Sequence, residues 1–170
     1  MADKEVVTKE ILEHRGIFNL SDLYTYAHNW LRDENYGVTE DKYNEKILGN
    51  GSKDIDIEWT TWKKWSDYIA IELKIKFEIR GASEVEVEID GVKQKAYKGN
   101  IRVETKGNLV RDPESKYDTS PWWRTVRDIY NKFIIPAKID AMQDKVREEV
   151  FKFKDNIKAF LDLVGKRTRA

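Results

Sequence analysis

The chain has 170 residues, with 31 basic and 31 acidic side chains and no cysteine. The charge balance removes the electrostatic reason to expect nucleic acid as a partner, and the missing cysteines exclude disulfides, thiolate metal sites and a cysteine nucleophile. No apolar run approaches the ~20 residues a spanning helix needs, and the charged start lacks the apolar stretch of a secretory leader, so the expected location is cytoplasmic.

In chain order, residues 5–15 carry Val6, Val7, Ile11 and Leu12 among charges, and the β-branched run followed by Gly16 predicts an edge strand. Asn19 is placed to cap a helix over 19–36, with Asp22 at its third position. Leu20, Leu23, Tyr24, Ala27 and Leu31 fall on one stripe of that helix, and Gly37 is placed to end it in the left-handed conformation. Residues 40–111 read as an antiparallel meander. It opens with a short strand at Tyr43–Ile47 and the turn Gly49-Asn50-Gly51-Ser52. Ile55, Ile57, Trp59 and Thr61 then alternate with Asp54, Asp56 and Glu58. Ile69 to Ile79 alternate strictly with polar residues, and Val85, Val87 and Ile89 alternate with glutamates up to Asp90-Gly91. Asp-Gly between such runs predicts a two-residue type I′ hairpin that sets Ile89 opposite Val92, Glu88 opposite Lys93 and Glu86 opposite Lys95. Ile101, Val103, Leu109 and Arg111 continue the last long strand, and Pro113 to Pro121 is the longest polar loop.

Two helices over 120–164, broken at Pro136, complete the pattern. Trp122, Val126, Ile129, Tyr130 and Phe133 predict the stripe of the first, with Ser120-Pro121 as cap and first residue. Ile139, Met142, Val146, Val150, Phe153, Ile157, Phe160 and Val164 predict a second helix packed along its whole length, with one stutter around Glu149. The expected fold is therefore a single α+β domain over 1–170. It has a twisted antiparallel sheet of about six to seven strands, one N-terminal helix, and a long kinked C-terminal helix packed on one face.

This order of elements is similar in topology to helix-grip proteins of the START and Bet v 1 type, which curve a sheet around a long C-terminal helix. The present chain departs from them in having one helix, not two, after the first strand. In addition, Gly16-Ile-Phe-Asn-Leu-Ser-Asp-Leu-Tyr24, Ile57-Glu-Trp59, Asp90-Gly91, Asp128-Ile-Tyr-Asn-Lys-Phe-Ile-Ile135 and Ile157-Lys-Ala-Phe-Leu161 resemble segments of a widespread uncharacterised archaeal (or archaeal-virus) protein family. That resemblance implies an archaeal or archaeal-virus source and carries over no activity and no functional residue.

Residues that carry chemistry are sparse. His14 and His28 are the only histidines and read as boundary residues. Asp54, Asp56 and Glu58 form an acid row that a hard cation would accept, but alternation alone produces the same row on any solvated strand. No nucleotide, hydrolase or zincin motif occurs, so no catalytic residue, metal ligand or cofactor is assigned. The aromatics stand out. Trp59, Trp62 and Trp65 lie three apart, a spacing that alternates faces on a strand, and Trp122 and Trp123 are adjacent on a helix. At least one of Trp59 and Trp62 must therefore point away from the core, where it needs a ligand, a partner or another element to cover it.

Three functional readings follow, in order of preference. The first is a non-enzymatic binding or assembly module that uses these five tryptophans and the long C-terminal helix, with Phe153, Ile157 and Phe160 buried by another copy in a homo-oligomer. The second is a helix-grip-like carrier of a hydrophobic small molecule or lipid, with a cavity lined by Trp59, Phe77 and Val146. The third is an enzyme with an unrecognised acidic site.

Overall fold

The computed structural model describes residues 3–111, 121–133 and 136–169. The chain forms β1 (Asp3–Phe18), α1 (Leu20–Asp33), β2 (Gly37–Ile47), β3 (Lys53–Lys64), β4 (Ile69–Ile89), β5 (Val92–Arg111), α2 (Pro121–Phe133), α3 (Pro136–Arg167) and the two-residue β6 (Thr168–Arg169). The sheet is antiparallel throughout, in the order β1-β5-β4-β3-β2, and β6 pairs with the hairpin end of β4.

The α+β class and the antiparallel sheet match the sequence reading, whereas the strand count does not. Five long strands and one very short one replace the expected six to seven, because runs separated by polar or glycine-containing stretches belong to single bent strands. Gly81 is the pivot. Its φ of 61° is left-handed, and the β4–β5 register slips by one residue between Arg80 and Ser83. A β-bulge bends a strand without ending it. Beyond the bulge, the apolar row of β5 moves from odd positions such as Ile101 and Val103 to the even position Ala96. The hairpin itself follows the expected pairing, Ile89 with Val92 and Glu88 with Lys93, around Asp90 and Gly91 at φ 51° and 83°.

Asn19 caps α1 by accepting the Asp22 backbone N–H at 3.1 Å. The helix ends earlier than expected and without Gly37. Asn35 takes the left-handed conformation, φ 67°, while Tyr36 N–H bonds to Leu31 carbonyl and Asn35 N–H to Arg32 carbonyl. These are the two bonds of a Schellman motif, which frees Gly37 to begin β2.

One face of the sheet meets helices α1 and α3; the other carries charge. Ile55, Ile57, Trp59, Leu73, Ile75, Phe77, Ile79, Ile101 and Val103 are buried on the helix side. Ile139, Met142, Val146, Val150, Phe153, Ile157 and Leu161 bury the inward stripe of α3 at spacings of three and four. The helix comes closest at Gly107, where an added Cβ would lie 2.7 Å from methyl groups of Val146 and Val150. The region of the Pro113–Pro121 loop and the residues before Pro136 fall outside the described residues, although α2 does begin at Pro121 and α3 at Pro136.

Candidate functional site

Two buried polar clusters and one exposed aromatic helix are the features that packing alone does not require. The first cluster lies between α3 and the end of β3. Glu149 is buried on the inward side of α3, where the apolar spacing stutters. Its carboxylate accepts from the Tyr36 hydroxyl at 3.2 Å and from Lys63 Nζ at 3.4 Å, and Lys145 Nζ lies 3.7 Å away. Lys63 also sits over the Tyr36 ring, 5.2 Å from its centroid. Burial first, and then the facing carboxylate, hold the Tyr36 phenol well above its ordinary pKa. One acid, two cations and a neutral phenol satisfy one another here, which suits a carboxylate held in the core better than one awaiting a substrate.

The second cluster lies on the charged face of the sheet. Glu72 is fully buried, with one carboxylate oxygen accepting from Lys4 Nζ and the other from Asn108 Nδ2, both at 2.9 Å. Lys4 in turn lies 5.3 Å from the Trp62 ring centroid. Trp62 thus points away from the core, as the three-residue spacing requires of one of the pair, and its ring stacks beneath a cation.

Trp59 is the inward member. It is 1% exposed, and its ring meets Tyr24 at 4.9 Å, Phe77 at 5.0 Å and His28 at 5.9 Å between centroids. Its Nε1–H donates to Glu40 at 3.2 Å, and the same carboxylate accepts from Tyr24. Desolvation and Glu40 push the Tyr24 phenol up to about 12. Trp59 is therefore a core residue and not a surface one. With Phe77 against it and Val146 on Gly107, the residues expected to line a cavity instead pack against their neighbours.

Phe153 and Ile157 are likewise fully buried by their own chain, Phe153 with its ring 5.3 Å from that of Trp30. Phe160 is partly buried and stacks on Tyr26 at 4.5 Å. The sheet reaches far enough along α3, and α1 far enough across it, that these side chains do not depend on a second copy for burial.

The remaining expected residues are exposed. Trp65 lies at the turn after β3, and α2 presents Trp122 at 70%, Ile129 at 52% and Trp123 at 47% exposure. Of the stripe predicted to bury α2, Trp122 and Ile129 are exposed and Val126 is half-buried, while the side chains of Tyr130 and Phe133 lie outside the described residues. Of the five tryptophans, one is core, two lie at the end of β3 and beyond, and two lie on α2.

The acid row of β3 is engaged within the chain. Asp56 pairs with Arg80 at 2.8 Å, Glu58 with Lys76 at 3.6 Å, and Asp54 accepts the Gly81 backbone N–H at 3.0 Å. Among the described residues no three His, Asp or Glu side chains gather as a metal site, and no helix is long and apolar enough to cross a membrane. His28 packs edge-on to Trp59, and His14 faces the helix layer with Nε2 buried and without a hydrogen-bond partner. Sequence reasoning did not single out Glu72, because a polar residue in an alternating strand looks solvated whatever covers it. Glu149 left a trace as the stutter in the α3 stripe. No family model, curated protein or solved structure matches the chain.

Proposed function

We propose that the chain is a non-enzymatic binding module whose contact surface is the outward aromatic side of α2. The observation that carries this reading is the exposure of Trp122, Trp123 and Ile129 on one helix, in a molecule whose other helices bury their apolar stripes. Exposed tryptophan pairs are costly in water, and contiguous apolar surface marks contact sites. Among the described residues, the buried acids Glu72 and Glu149 are enclosed and paired, and Asp56 and Glu58 of β3 face cations, which favours a structural use of these carboxylates.

The test is native mass spectrometry of the purified full chain beside a Trp122→Ala/Ile129→Ala variant. The wild type should retain a second copy or an amphiphilic ligand that the variant loses, with both folded by circular dichroism. A bare monomer for both proteins at every concentration, with no added amphiphile retained, would remove α2 as a contact surface.

A further inference from the structure

Edge strand β2 turns an acid and an aromatic residue toward the helix side of the sheet. Its register slips between Glu40, opposite Trp59, and Lys42, opposite Glu58, so that Asp41 is an extra residue. Three-residue spacing on a regular strand alternates faces. Across this bulge, Glu40 and Tyr43 instead share the helix side with their partners Trp59 and Ile57. There Tyr43 joins Tyr97 of β5 and Leu20, Ser21, Tyr24 and Thr25 of α1 around an open cleft of about 390 Å³. That volume falls within the ~300–1,000 Å³ of small-molecule sites. Three of the six lining residues are tyrosines, and Tyr43 is 49% exposed.

The charge beside these rings is negative. Glu45 is neutralised by Lys53 at 2.6 Å, and Lys53 Nζ lies 5.9 Å from the Tyr97 ring centroid. Glu40 accepts from the Tyr24 hydroxyl and from Trp59 Nε1 but has no ion pair among the described residues. Burial first, and then the Glu45 carboxylate, hold the Tyr43 phenol above its ordinary pKa. Asp22, in the first turn of α1, offsets the positive end of that helix. We propose that the cleft binds an alkylated ammonium ion, a choline-like group, with its methyls against Tyr24, Tyr43 and Tyr97 and with Glu40 as its counter-charge. The electron-rich faces of aromatic rings attract such cations. A fully alkylated nitrogen carries no N–H, so it asks no hydrogen bond of Glu40, whose Oε2 is already shared by Tyr24 and Trp59. A bare ammonium, with three donors to satisfy, suits ring faces less well. The site shares no residue with α2 and stands independently of the reading above.

The experiment is an NMR titration of the full chain with choline, with tetramethylammonium and with the neutral isostere of choline in which carbon replaces the nitrogen. Both cations should bind saturably, their methyl protons shifted upfield by the rings, and the isostere should bind about tenfold more weakly. Tyr43→Ala should weaken choline by about fivefold, whereas Tyr43→Phe, which keeps the ring, should stay within about twofold. Glu40→Gln, which can still accept from Tyr24 and Trp59, should weaken choline and leave the isostere unchanged. A short-chain phosphatidylcholine in monomeric form separates the sources. Binding tighter than that of choline identifies a lipid headgroup, and weaker binding a free small cation. An isostere that binds as well as choline overturns the assignment, as does the absence of saturable binding by either cation. So does choline binding untouched by Tyr43→Ala and Glu40→Gln, which would leave both side chains as guards of an exposed sheet edge. Should Tyr43→Ala fail to fold, the wild-type comparison of choline with its isostere and the Glu40→Gln variant still decide.

Discussion

Tyr36 and Glu149 show how one buried pair ties the stability of this chain to pH. The phenol donates to the carboxylate at 3.2 Å, and burial together with that carboxylate raises its pKa far above the unfolded value near 10. The folded state thus holds the phenol proton more tightly than the unfolded chain does. Stability from this group is complete below pH ~10 and is lost as pH rises beyond it toward the folded-state value. Tyr36→Phe should cost about 0.5–1.5 kcal/mol at neutral pH through the lost hydrogen bond. Above pH ~10 its stability should fall less steeply than that of the wild type. Urea melts across that boundary check both signs, and parallel slopes for the two proteins would mean that the phenol is not held protonated by the fold. Tyr24, pushed up to about 12 by its desolvation and by Glu40, would add to the wild-type slope in both proteins and so drops out of the comparison.

At the scale of elements, contact between α3 and the sheet is set by what is missing from Gly107. A side chain there would meet Val146 and Val150 at 2.7 Å, and both belong to the fully buried stripe of the helix. Gly107→Ala should therefore destabilise by about 1–3 kcal/mol, the usual cost of forcing extra volume into a packed core. Adding Val150→Ala should recover part of that loss, making the double variant more stable than the sum of its parts predicts. Strict additivity in chemical denaturation would show that the helix shifts freely at this point. Much of this layer was legible beforehand. The α3 stripe from Ile139 to Ile157, the inward row of β3 and the Asp90-Gly91 hairpin all follow from periodicity and turn chemistry, because a two-layer fold buries one face of each element. The bend at Gly81 was not legible, since a bulge and a break leave the same local sequence. The end of α1 was misassigned because Asn35 and Gly37 can both accept the left-handed conformation, and only the chain's exit toward β2 selects between them. For the candidate site, the spacing of Trp59 and Trp62 gave opposite faces correctly. Which apolar stripe remains in water depends on how far the sheet extends, a property of the assembled layer.

For the whole molecule, the distribution of tryptophan separates folding from contact. Trp59 sits among Tyr24, His28 and Phe77 where α1 crosses the sheet, so its loss opens a cavity that three elements share. Trp59→Ala should cost about 3–5 kcal/mol, which for a chain of this length lowers the melting temperature by roughly 6–20 °C. Trp122 is 70% exposed on α2, and Trp122→Ala should stay within ~0.5 kcal/mol of the wild type. Calorimetry of the two variants beside the wild type tests the division directly. If Trp122→Ala melted as early as Trp59→Ala, α2 would belong to the cooperative core, and its aromatic side would owe its presence to folding. If only Trp59→Ala melts early, the fold does not need the indole at 122. A chain that buries the stripes of α1 and α3 so completely would then be leaving that surface outward for something other than its own stability.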